Sequence, residues 1–104
     1  MNIQAVTPSI INKEAISGLH FSSQDVLVLV NEIKERKTNA EIGLLLGNNY
    51  KCKVKIIFED SESIKQVETT IWGLTDMHII LKGGVTIPLH RIYKVEICSW
   101  IISI

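Results

Sequence analysis

A chain of 104 residues, 46% hydrophobic and 21% charged, has room for one domain and lies far from the composition of disordered proteins. Eleven basic residues balance eleven acidic ones, so no net field draws it toward nucleic acid or an anionic membrane, and any such binding needs a local patch. The opening "MNIQAVTPSIIN" has no basic n-region and no apolar run reaches the length of a membrane span, so a cytoplasmic protein is expected.

Residues 1–20 hold Pro8, Gly18 and scattered apolar positions, the pattern of a loosely structured arm. Residues 22–37, "SSQDVLVLVNEIKERK", open with capping candidates and set Val26, Leu29, Val30 and Ile33 at the spacing of one helical stripe. Glu32 and Arg36 add a favourable i,i+4 pair. A strand is the rival, because "VLVLV" is rich in β-branched residues. The polar continuation "NEIKERK" favours the helix.

From Ala40 onward short alternating runs broken by Gly and Asn predict antiparallel hairpins. In residues 40–58 a three-residue loop of Gly47, Asn48 and Asn49 sets Leu44 opposite Cys52 and Ile42 opposite Val54, gathering one apolar face. It leaves Lys51, Lys53 and Lys55 outward, with Glu41 opposite Lys55. Asn49 then takes the left-handed position. Cys52 alternates with apolar neighbours, which predicts a buried thiol, and Cys52 and Cys98 lack the CxxC spacing of a zinc or redox motif.

Glu59 to Ser63 read as an exposed acidic loop, and residues 67–74 as a strand. A two-residue turn at Thr75 and Asp76 buries Trp72 and Leu74, whereas a three-residue one buries Thr69 and Ile71; the larger area of Trp72 favours the first. In the next hairpin Lys82, Gly83 and Gly84 form the loop that puts Leu81 opposite Val85, Ile79 opposite Ile87 and Met77 opposite Leu89. The other face pairs Ile80 with Thr86, His78 with Pro88, and Asp76 with His90. After Leu89 the apolar parity breaks, so a tight turn over residues 89–92 is expected, with Pro88 and Arg91 marking a corner before a last strand at residues 93–98. The tail "SWIISI" stays apolar to its end and either extends that strand or covers an open edge.

One helix, then short strands with "IPLHRI" leading into "YKVEI", resembles the small SH3-like and Sm-like barrels, the Rho-binding antiterminator group included. The resemblance covers residues 22–97 and implies an α+β fold over a single domain, 1–104: an arm at 1–20, a helix at 22–37, and a five-stranded antiparallel barrel within 40–104. The Asp and Asn and the Gly-rich segment of Sm-like nucleic-acid sites are not recognisable, so no functional residue carries over, and such a fold hosts many functions.

Asp76, His78 and His90 are the one constellation with metal-binding chemistry, and a surface Asp76–His90 pair is the simpler account of it. No nucleophile stands beside a base, and "KGG" is a turn rather than a phosphate cradle, so a non-enzymatic protein without cofactor or metal is expected. Its function is expected to be protein interaction or self-association, through the outward apolar residues Leu45, Ile57 and Ile80 and the tail residue Trp100. The alternative is a nucleic-acid regulator using Lys51, Lys53 and Lys55, although no aromatic interleaves with them and lysines also protect an edge strand.

Overall fold

A computed structural model describes residues 6–97. In chain order it holds β1 (Ser9–Ile10), a 3-10 turn (Lys13–Gly18), α1 (Val30–Tyr50), β2 (Val54–Glu59), β3 (Ile64–Thr69), β4 (Ile71–Leu74), β5 (His78–Leu81), β6 (Thr86–Pro88), a second 3-10 turn (Leu89–Arg91) and β7 (Ile92–Glu96). Among the described residues this is an α+β fold with one main helix and two sheets, ordered β1-β3-β2-β7 and β4-β5-β6. All pairings are antiparallel except the short β1 beside β3. The expected closed five-stranded barrel is not what forms.

The helix lies at residues 30–50, not at 22–37. Ser22 and Asp25 put their oxygens to other uses: Ser22 Oγ accepts from the Gln24 N–H (3.2 Å) and Asp25 Oδ1 from the Leu27 N–H (2.8 Å), closing local turns that compete with a helix start. Residues 22–29 therefore run as a strap rather than a helix.

The expected first strand and loop of the 40–58 hairpin are helix instead. The face of α1 turned to the protein is Arg36, Ala40, Gly43 and Gly47, so the usual amphipathic pattern is inverted. A Cβ on Gly47 would stand 2.8 Å from the Ile71 carbonyl oxygen, and one on Gly43 would stand 3.0 Å from Ile71 Cδ1. Each interior glycine costs about 1 kcal/mol of helix propensity. The close approach to β4 that they allow offsets it. The helix ends on Lys51, left-handed at φ 54°, while Asn49 stays helical and its Nδ2 donates to the Leu45 carbonyl (2.9 Å). The left-handed residue is thus Lys51, where Asn49 was expected.

β2 is a central strand, flanked by β3 and β7, so its one lysine, Lys55, does not guard an edge. Between β2 and β3 the acidic loop is not uniformly exposed: Asp60 is buried and accepts from the N–H groups of Glu62 (3.0 Å) and Ser63 (2.9 Å) and from Lys65 Nζ (2.9 Å). Burial pushes the Asp60 carboxyl up, but Lys65 and the two N–H groups outweigh it and hold the pKa low.

Only Thr70 separates β3 from β4, so the chain bends there from one sheet to the other. The expected two-residue turn before β5 does not occur. Leu74 pairs with Ile79, Ile71 pairs with Leu81, and the register shifts at Trp72. Ile71 and Thr69 are buried and Trp72 is 54% exposed, the reverse of the area argument. A bulge re-aims one residue, and here it turns the largest one outward.

The β5–β6 hairpin matches its expected register: His78 faces Pro88, Ile79 faces Ile87 and Ile80 faces Thr86. Gly83 and Gly84 both take φ 89° in the turn. The corner is the 3-10 turn at Leu89–Arg91. Ile79, Leu81 and Ile87 join Ile56, Phe58, Val67, Ile71, Ile92 and Val95 in one core, to which the first 3-10 turn adds Ile16.

Candidate functional site

Two features stand out above the scaffold: a polar latch at the corner and an apolar outer face on α1. The latch forms because the 3-10 turn brings His90, Arg91 and Ile92 against the strap. The Val26 N–H donates to the His90 carbonyl (2.9 Å), and His90 Nε2 donates to the Ser22 carbonyl (2.9 Å). A carbonyl only accepts, so Nε2 carries the proton. Arg91, buried, donates from Nη1 to the Gln24 carbonyl (2.8 Å) and from Nε to the Glu59 carbonyl (3.1 Å).

Arg36 clasps the strap from the helix side. Its Nη1 and Nη2 each lie 2.9 Å from one oxygen of Asp25, and Nη1 also donates to the Ile92 carbonyl (3.0 Å). This fork supersedes the expected Glu32–Arg36 surface pair. The Arg36 bond holds the Asp25 carboxyl below its usual value against the effect of burial, with help from the Leu27 N–H and the charges of Arg36 and His90. Tyr93 donates to Glu59 Oε1, and burial followed by that carboxylate pushes the phenol up to about 12. Every one of these groups has a partner that the fold itself supplies, and together they fasten the strap to the corner and to α1.

His90 is therefore not the partner of Asp76. The imidazole is turned to the strap, no ion pair among the described residues joins the two, and Asp76 is exposed. Although His78 faces Pro88 as expected, no group of three or more His, Cys, Asp or Glu residues among those described is placed to hold a metal.

The residues expected to form an interaction surface lie on three separate elements. Leu45 is 61% exposed on α1. Ile57 is only 7% exposed, because on central β2 it lies between Gln66 and Lys94, whose long side chains flank it on the same face. Ile80 is half-buried, with its side chain over Gly73. Trp100 lies outside the described residues. Cys52 is buried, as its alternation implied.

The lysines do not form a stripe. Lys51 caps the helix, Lys53 lies in the link to β2, and Lys55 stands between Glu68 on β3 and Glu96 on β7. The charge therefore alternates in sign across β3, β2 and β7 at this level.

The reading by residue type missed the outer face of α1. Ile42 and Leu45 are exposed there and Leu46 is partly so, at offsets of three and four residues from Ile42, which place them along one side of the helix. Asp25, Arg36 and Arg91 were missed as a set because nothing local couples residues so far apart in the chain. Among the described residues no helix is long and apolar enough to cross a membrane. Comparison with protein-family models, curated proteins and solved structures gives no match to this chain.

Proposed function

We propose that the protein is a non-enzymatic binding module that makes protein contacts through the outer face of α1. The carrying observation is that Ile42 and Leu45 are exposed, and Leu46 partly so, on the side of a helix turned away from its occupied inner side. Scattered apolar residues on a surface need no explanation, but a contiguous set on one element marks a contact site. Helix faces of this kind dock through i, i+3 and i+4 anchors.

One helix, a strand bent at Thr70, a hairpin, a one-turn corner and a last strand support a likeness to an open form of the SH3-like and Sm-like barrels. Such folds carry many functions, so the surface and not the fold supports the proposal.

The test measures mass by light scattering across a concentration range, together with binding of purified candidate proteins, for the wild type and Leu45→Glu. Self-association or a bound protein, lost in the variant while far-UV circular dichroism is unchanged, is expected. Salt-sensitive retention on heparin or RNA with no contact that depends on Leu45 would replace this reading with the nucleic-acid one.

A further inference from the structure

We propose that two copies of this chain exchange their N-terminal segments, residues 6–27 of each packing on the body of the other, with the hinge at Val28 and Leu29. The proposal stands apart from the outer face of α1.

The surface that receives the segment is already defined, because within one chain the segment sits on it. Ile16 is part of the core, Leu19 and Phe21 pack against it, and the Phe21 and Phe58 ring centroids are 6.2 Å apart. Beyond them the hold is polar: Arg91 on the Gln24 carbonyl, His90 on the Ser22 carbonyl and Arg36 on the Asp25 carboxylate. A second copy's segment meets the same groups in the same places. Exchange reproduces these contacts, so the hinge and the freedom lost on association decide the balance between the closed and exchanged forms.

The hinge favours exchange in two ways. α1 begins on Leu29, which makes no side-chain cap bond, where a helix start favours Ser, Thr, Asp or Asn. Val26, Leu29, Val30 and Ile33 keep the spacing of a helical stripe across the junction, so straightening residues 28 and 29 continues α1 backward and swings the segment off its own body. The second is what the junction leaves in water. Val28 is 89%, Leu29 59% and Val30 66% exposed, a run of three apolar residues with no cover in the closed chain. In an exchanged dimer the two chains cross at their hinges beside the two-fold axis, and the two runs cover each other. Because Ile16 has to leave the core before a segment can change bodies, the two forms interconvert slowly.

The test refolds the full chain at low and at high micromolar concentration and reads the mass by light scattering. A dimer that grows with concentration during refolding and persists on dilution is expected. Val30→Pro should abolish it with circular dichroism unchanged, because proline suits the first helical position and holds Leu29 in the extended conformation of the closed form (φ -80°, ψ 132°). A second arm co-refolds Asp25→Ala with Arg36→Ala, and it decides the matter alone if Val30→Pro does not fold. Each variant by itself lacks one side of every Asp25–Arg36 pair, whereas the mixed dimer restores one native pair and sets alanine against alanine in the other. The mixture should therefore melt several degrees above either variant. A monomer at every concentration overturns the proposal, as does a mixture that melts as its two separate components. A dimer kept by a folded Val30→Pro but lost in Leu45→Glu also overturns it, since that contact belongs to the outer face of α1. A dimer lost in Val30→Pro and untouched by Leu45→Glu, with no protein bound through Leu45, supports the exchange and removes the reading of that face.

Discussion

The β5–β6 hairpin and α1 press on the same residue, Ile71, by opposite means. The hairpin brings bulk: Leu81 pairs with Ile71, and Ile79 and Ile87 fill the space beside it. The helix brings an absence of bulk, since Gly43 and Gly47 let its backbone come down onto β4. A surface made of side chains writes itself into the hydropathy pattern, and a surface made of missing side chains does not. Packing density near that of an organic crystal can be reached either way.

The sharpest way to break the comparison is to alter both sides. Ile79→Ala deletes buried atoms and leaves a cavity, and should cost about 3 kcal/mol. Gly47→Ala adds one methyl group where the Ile71 carbonyl oxygen leaves only 2.8 Å. Despite a propensity gain of about 1 kcal/mol, overpacking against backbone should leave the variant about 2 kcal/mol less stable. Urea unfolding of both, with exposed Asn48→Ala as the helix control, measures it. A stabilised Gly47→Ala protein would mean that α1 does not approach β4 this closely.

This difference also explains how far the sequence could be read. The loop at Lys82, Gly83 and Gly84, the register from His78 to Pro88 and the corner at Leu89–Arg91 were legible because strand alternation and turn chemistry act between near neighbours. The helix was misplaced by eight residues at its start and extended past its expected end because residues 40–46 place glycine and alanine inward and Ile42 and Leu45 outward. That pattern also fits a strand. Trp72 was misjudged because a bulge obeys backbone geometry rather than side-chain area. The latch was invisible for a different reason: Asp25 to Arg36, and Gln24 to Arg91, are contacts that only the tertiary fold creates.

The latch offers a second contrast, between polar and apolar fastening. Arg36→Ala removes a buried guanidinium and leaves Asp25 and the Ile92 carbonyl without their donor, which should cost about 2 kcal/mol, discounted from the fully buried case because Asp25 is partly exposed. Arg36→Lys should recover little, since an ammonium cannot make the paired bonds of the fork. The pH dependence has a definite sign. Asp25 has a folded pKa below its unfolded value, so its contribution is present above the unfolded carboxylate value and disappears as pH falls through the folded one. Asp60 adds to the same acid limb, so the quantity to follow is the difference between wild type and Arg36→Ala. That difference should shrink in acid. A constant difference from neutral pH down through the acid transition would show that Arg36 acts by packing alone.

The smallest expected effect is the most discriminating about α1, because it separates a helix from a hairpin over the same residues. A hairpin turning at Gly47, Asn48 and Asn49 would place Asn49 in the left-handed region, and Asn49→Gly would then be neutral or stabilising. In the helix Asn49 has ordinary helical backbone and bonds the Leu45 carbonyl, so the same change should destabilise by about 0.5–1 kcal/mol. Lys51 instead bears the left-handed strain at φ 54°, while its N–H donates to the Gly47 carbonyl (3.0 Å) and the Cys52 N–H to that of Leu46 (3.4 Å). Glycine is the residue that such a helix end favours. Lys51→Gly should accordingly raise stability by about 0.5–1 kcal/mol, the size typical of relieving a left-handed side chain, less what the freer unfolded chain gains. Chemical denaturation of the two glycine variants in parallel gives opposite signs if α1 ends at Tyr50. Equal signs, or a gain at Asn49 with a loss at Lys51, would return the turn to Gly47–Asn49 and remove the helical face on which Ile42 and Leu45 are exposed.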